Sequence, residues 1–224
     1  IIEQLIAERA KAGRTVASDD ARLLGAEGRS AARRGDFAAA AQAFRAALAE
    51  DPFDGEALFG LGRALVLAGE RDEGLRVLER HRRLVPLLDA VDFARRGVDL
   101  APAHAPNWTA LGDAERALPR LDRAEAAYRR AAECARDEES VANALRWARL
   151  LAEDKGDVDA AVDLLVRTAR RTPDARLHVR AGDVLLAARR APEAIAAYER
   201  ALALRPQDAE IARRIAAARS GDSR

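Results

Sequence analysis

The sequence predicts an all-α solenoid, and three observations carry that prediction. The first is a phrase of about 34 residues that keeps returning and ends in a small residue, an aromatic or Leu, another small residue and often Pro. Ala40-Phe44-Ala47-Pro52 and Ala194-Tyr198-Ala201-Pro206 are its clearest copies. The second is a Gly upstream of each copy, preceded by apolar residues: Gly28, Gly62 after Leu58 and Leu61, Gly112 after Trp108 and Leu111, and Gly182. The third is composition: 49% of residues are hydrophobic but only 4% aromatic, which suits closely packed helices with a core of Ala and Leu. A period between about 20 and 50 residues marks units too small to bury their own apolar faces, which must stack on neighbours. Stacked units leave an extended binding surface, which points to binding and scaffolding ahead of catalysis.

These residues resemble the tetratricopeptide repeat over nearly the whole chain. The Trp-x-x-Leu-Gly opening is intact as Trp108, Leu111 and Gly112, with Ala124, Tyr128 and Ala131 at the expected spacing. The last copy closes as PEAIAAYERALALRP. The resemblance implies an antiparallel helix pair per unit, a right-handed superhelical solenoid, and a concave groove lined by the first helix of each pair. The motif speaks for fold more than function, because its signature residues pack helices together and do not touch ligands.

Taken in order, residues 1–13 read as an amphipathic helix with Ile1, Ile2, Leu5 and Ile6 on one face, and TVASDD as a polar break that completes an N-terminal segment over 1–20. Asp19 or Asp20 is placed to cap the next helix. Two units follow over 21–88, with turns at Gly35-Asp36 and Gly69-Glu70 and closing prolines at Pro52 and Pro86. Pro86 and Pro102 then lie only half a repeat apart, so residues 89–104 read as a second helix without its first. Either that helix is absent from the protein or residues near Leu84–Asp89 are missing from the chain; in both cases the segment is a joint between two blocks. Three units occupy 105–208: one with Pro119 at its turn, one with Gly156-Asp157 at its turn and Ala148-Arg149 where Leu-Gly is usual, and a regular last one. Residues 209–224 supply a capping helix and tail, with Ile211 and Ile215 on one face and arginines on the other, as a solenoid end requires.

Charge is abundant and balanced: 33% of residues are charged and the net charge is +1, which gives no support to nucleic-acid binding. Lys11 and Lys155 are the only lysines, the remaining basic residues being Arg, which binds carboxylates bidentately. Cys134 is alone, so no disulfide closes within the chain, and it reads as a small buried hydrophobe. No stretch approaches the roughly 20 apolar residues of a membrane span. The chain begins at Ile1 and contains no Met, so it is expected to start downstream of its natural initiator. The compartment, cytoplasm or periplasm of a bacterium, is not decided by the sequence.

No catalytic group assembles. His81, His104 and His178 fall in different units, and His178 takes the packing place of Trp108. No spacing of His, Cys or carboxylates suggests a metal, and no cofactor motif is present; Gly60-x-Gly62 sits in a predicted helix with no strand before it. The binding residues come instead from the resemblance. First-helix positions that do not pack helices are Arg22, Arg29 and Arg33; Phe59, Arg63 and Val66; Thr109, Asp113 and Arg116; Asn143, Arg146 and Leu150; and Arg176, Val179 and Asp183. Of these, Arg29, Arg33, Phe59, Arg63, Arg116, Asn143, Arg146 and Arg176 form the expected peptide-binding set. Their excess of Arg predicts an acidic or C-terminal carboxylate peptide, held by charge-assisted bonds. The Lys-and-Asn carboxylate clamp of chaperone-binding members is not reproduced. The chain is therefore expected to be a non-enzymatic scaffold that binds a protein or peptide within a larger assembly. The rival readings are a repeat appendage of an enzyme encoded upstream and a helical-repeat RNA binder; the near-neutral charge stands against the second.

Overall fold

The computed structural model describes residues 16–221, and eleven α-helices with one π-helical turn make up its regular structure. The helices are α1 (Val16–Arg33), α2 (Phe37–Glu50), α3 (Gly55–Ala68), α4 (Arg71–Leu100), α5 (Ala105–Ala117), α6 (Leu121–Cys134), α7 (Asp137–Arg149), α8 (Val158–Arg171), α9 (Ala175–Ala187), α10 (Ala191–Leu204) and α11 (Ala209–Gly221); the π turn, Leu150–Asp154, extends α7. They fold into two compact units, one up to Asp89 and one from Ala90 on. No described helix is long and apolar enough to cross a membrane.

Local chemistry sets several of the helix starts. Asp36, Asp54 and Asp157 each accept a hydrogen bond from the backbone N–H three residues on, at 2.9–3.0 Å, capping α2, α3 and α8. Asp208 receives the N–H groups of Glu210 and Ile211 at the start of α11. The turns at Gly35, Gly69 and Gly156 stand where the sequence predicts them, each with a left-handed glycine.

Within a pair, packing rests on one repeated device. Tyr198 of α10 is buried with its ring against α9, and a Cβ added at Gly182 would lie 2.4 Å from a ring carbon. Gly112 of α5 receives Tyr128 of α6 in the same way. Only glycine lets the ring come that close, so the phrase and its upstream Gly are two halves of one contact. In the first unit Phe44 plays the ring's part, inside a core with Ala40, Ala47, Leu61 and Leu65. At the C-terminus Ile211 and Ile215 are buried, as a capping helix requires.

Several elements differ from the sequence reading. The expected helix over 1–13 lies outside the described residues. The polar break before residue 21 is not found: α1 already begins at Val16, and the stretch TVASDD contains no Gly or Pro to stop it. Pro86 was expected to close a helix; α4 runs through it. Leu84, Val85, Leu87 and Leu88 around it are half-buried, and Leu88 rests on Gly55, so packing offsets the roughly 3 kcal/mol cost of an interior proline. Trp108 is half-buried and donates its indole N–H to the Pro102 carbonyl at 2.7 Å. Cys134 is also only half-buried, its Sγ 3.9 Å from the same carbonyl. His178 is half-buried, and burial, followed by the nearby Arg200, pushes its pKa down, in keeping with a packing role.

Candidate functional site

In the N-terminal unit, α1 and α3 present their outer faces side by side and enclose a cleft of about 390 Å³. Its walls include Arg29, Arg33, Phe37, Phe59, Arg63 and Leu67. Phe59 is 44% exposed, a high value for so large an apolar ring. The Arg63 guanidinium lies 5.6 Å from the Phe59 ring centre, and the His81 ring stands 5.5 Å away at a 45° tilt. The ring thus has a cation over it and an imidazole near it, contacts that orient it without burying it. Arg29 is occupied by Glu56 at 2.7 Å. Arg33 and Arg63 are exposed and form no ion pair among the described residues. The cleft therefore combines apolar walls with two positive charges that have no carboxylate among the described residues.

The C-terminal unit looks different. A cleft of about 460 Å³ lies between α5 and α7, lined by Asp113, Arg116, Ala117, Arg146, Arg149 and Asp154. Each arginine here already has a carboxylate. Arg146 holds Asp113 at 3.0 Å, and Arg116 holds Asp154 together with Glu153. Glu153, on the π turn, also takes Arg149 at 2.8 Å and Arg180 at 2.7 Å. The Arg149 bond, followed by that of Arg180, holds the Glu153 carboxyl below its ordinary range against the opposing pull of partial burial. Arg176 is shared between Glu138 at 2.7 Å and Asp174 at 2.8 Å, which leaves the Asp174 carboxyl depressed as well.

Asp113 and Asp183 have a further task. Tyr128 donates its hydroxyl to Asp113 at 2.7 Å, and Tyr198 donates to Asp183 at 2.8 Å. Burial, reinforced by that bond, pushes the Tyr198 hydroxyl up to about 12 and raises Tyr128 in the same direction. Arg214 of α11 reaches Asp183 as Arg146 reaches Asp113. Each aspartate thus ties together three helices.

The expected binding set divides accordingly. Arg29, Arg33, Phe59 and Arg63 come together around one cleft, and Arg116 and Arg146 around another. Arg176 is exposed but is engaged by its own carboxylates. Asn143 is a correction: it is 1% exposed, donates to the Tyr128 carbonyl at 2.9 Å and accepts from the Thr109 hydroxyl at 3.2 Å. Thr109 and Leu150, expected on the same face, are buried too. The acidic residues Glu56, Glu138, Glu153 and Asp154 were missed, because nothing local in the sequence marks them as partners of arginines a full repeat away.

Comparison with known proteins follows the same lines. A family model described as tetratricopeptide repeat matches residues 26–88, and one described as tetratricopeptide repeat-like domain matches residues 108–219. No curated protein matches. Among solved structures the chain is similar to a thermophilic TPR protein of Thermus thermophilus, with 22% identity over 91% of this chain and 98% of that one, at a TM-score of 0.48. It is similar also to the MamA protein, with 20% identity over 86% and 96% and a TM-score of 0.45. A third is YrrB, a TPR protein with an unusual peptide-binding site, with 16% identity over 83% and 87% and a TM-score of 0.40.

Proposed function

Because the chain belongs to the tetratricopeptide repeat family, whose fold is that of a protein–protein interaction scaffold, we propose that it binds a peptide segment of a partner protein on the first-helix face of its repeats. The binding site is the cleft of the N-terminal unit. The observation that carries this reading is the pairing of exposed Phe59 and Leu67 with Arg33 and Arg63, which have no carboxylate of their own among the described residues. An apolar side chain of the peptide covers Phe59, and an adjacent carboxylate meets the two guanidinium groups. Hydrogen bonds to charged groups are worth roughly 1.5–3 kcal/mol, less at exposed positions and less again in salt.

The C-terminal cleft supports that selectivity poorly. A peptide carboxylate there has to displace Asp113, Glu153 or Asp154 from an arginine before it gains anything. The acidic preference therefore belongs to Arg33 and Arg63, and the complex forms part of a larger assembly.

The test is fluorescence anisotropy with two short peptides, one carrying Leu flanked by Asp and Glu and one with Asn and Gln in their place. The acidic peptide is expected to bind more tightly, to weaken in high salt and to lose affinity with Arg33→Ala plus Arg63→Ala, while Arg146→Ala changes little. Equal binding of both peptides, or indifference to the Arg33 and Arg63 substitutions, overturns the reading.

A further inference from the structure

The half-repeat spacing of Pro86 and Pro102 is the part of the sequence pattern that the cleft does not use. α4 carries the second-helix register twice, once leading to Pro86 and once to Pro102. The position twelve residues before the closing proline is where a second helix rests against the first helix of its own pair. Ala40 before Pro52, Ala161 before Pro173 and Ala194 before Pro206 occupy it, each 0% exposed. Gly74 occupies it before Pro86 and is buried, so close to α3 that an added Cβ would lie 2.7 Å from the Gly62 carbonyl oxygen. Before Pro102 the residue is Ala90, and it is exposed.

The position nine residues before the proline tells the same story. Ala197 is buried there before Pro206 and Leu164 is half-buried before Pro173, but Phe93 before Pro102 is 77% exposed. Leu100, two turns further along the same face, is exposed as well. The adjoining side of this stretch stays covered: Val91, Ala94 and Val98 are buried. The following helix, α5, is in place, since Asn107 donates to the Gly97 carbonyl at 2.6 Å and Glu115 meets Arg95 at 3.4 Å. The second half of α4 is thus a second helix with its following neighbour present and no first helix of its own among the described residues.

We propose that the face Ala90, Phe93 and Leu100 docks an amphipathic helix of a partner protein, which takes the place of the missing first helix. The molecule itself argues for this occupant: wherever else the register occurs, a helix covers it. Small Ala90 permits close approach of a backbone, and Phe93 and Leu100 supply the apolar contact. Arg96 adjoins the face on one side, while Asp92 and Asp99 lie further round the helix, Asp92 paired with Arg95 at 3.4 Å.

A probe exists in the chain itself. The sequence Ala175–Ala187 is a first helix with Leu177, Gly182 and Leu185 on its packing face and Arg176 and Arg180 outside it. A synthetic peptide of that sequence, stapled into a helix and labelled with fluorescein, is titrated with the whole chain. Saturable binding is expected, weakened about tenfold or more by Phe93→Asp and unchanged by Phe59→Ala, which marks the other cleft. Phe93 is an exposed position, and unchanged helix content by circular dichroism confirms that its substitution leaves the fold intact. Absence of saturable binding up to about 1 mM peptide overturns the proposal, as does binding indifferent to Phe93→Asp or lost only with Phe59→Ala. Sedimentation that finds the chain paired with itself, and unpaired by Phe93→Asp, assigns the face to a second copy and overturns it equally.

Discussion

Replacing Gly182 with Ala tests the central packing device at a single atom. The added Cβ would sit 2.4 and 2.6 Å from two ring carbons of Tyr198, where about 3.4 Å or more is needed, so the ring must retreat by roughly 1 Å. Tyr198 is 1% exposed and packed among Ala194, Ala197 and Ala201, so it has nowhere open to go. Overpacking of this kind costs roughly 1–3 kcal/mol. A retreating ring also strains the 2.8 Å bond from the Tyr198 hydroxyl to Asp183, putting roughly another 1–2 kcal/mol at risk. Against this stands the helix-propensity gain of Ala over Gly, up to about 1 kcal/mol. The net expectation is a loss of about 1–3 kcal/mol. The assay is thermal unfolding followed by circular dichroism, in which each kcal/mol shifts the midpoint by about 2–4 °C in a chain of this size. Gly97→Ala is the control: its Cβ would meet only Asn107 at 3.4 Å, so the propensity gain should survive. A Gly182→Ala variant as stable as the parent refutes the reasoning, since the ring would then have had room all along.

Three further expectations concern single side chains and pH. Tyr198→Ala should cost about 3–5 kcal/mol and Trp108→Ala distinctly less, because Tyr198 is buried while Trp108 is half-exposed; urea unfolding of the two variants ranks them. Asn143→Leu should destabilise by about 1 kcal/mol, since it removes the bond to the Tyr128 carbonyl and leaves the Thr109 hydroxyl only the Ala105 carbonyl to donate to, yet leave peptide affinity unchanged; an affinity loss without a stability loss would return Asn143 to the binding face. Glu153 and Asp174 lie below their ordinary values of 4.5 and 3.8 in the folded chain, so their contribution is present above those values and fades as pH falls through the lowered ones. Melting temperature should therefore hold down to about pH 5 and then drop, and Glu153→Gln with Asp174→Asn should make that drop shallower.

The repeat period, the turns at Gly35, Gly69 and Gly156 and the capping helix were legible in the sequence, because each depends on residues close together in the chain. Gly182 and Tyr198 were each legible too, since both recur at fixed spacing, but that one rests on the other came only with the fold. Burial of Asn143 was not. A polar residue at a first-helix position looks solvent-exposed until its partner Thr109, a full repeat earlier, is placed beside it. The state of the arginines failed for the same reason. Arg29, Arg116 and Arg176 meet Glu56, Asp154 and Glu138 across neighbouring helix pairs, and that matching depends on register and side-chain reach. The π turn that brings Glu153 to three arginines shifts the register of its helix locally, and no residue in Leu150–Asp154 announces it.

The aspartates that follow Gly112 and Gly182 also bear on how such a gene can be cut and copied. Asp113 serves a tyrosine fifteen residues later and an arginine thirty-three residues later; Asp183 serves Tyr198 and Arg214 at fifteen and thirty-one. A crossover that copied one repeat alone would separate the carboxylate from one of these and strand a partly buried charge. After Gly28 and Gly62 the chain has Arg in place of Asp, and the residues they receive, Phe44 and Leu78, have no hydroxyl to offer. The heritable module in the C-terminal half is thus longer than the visible phrase, and a repeat transplanted from the N-terminal half would arrive without the groups its new neighbours need.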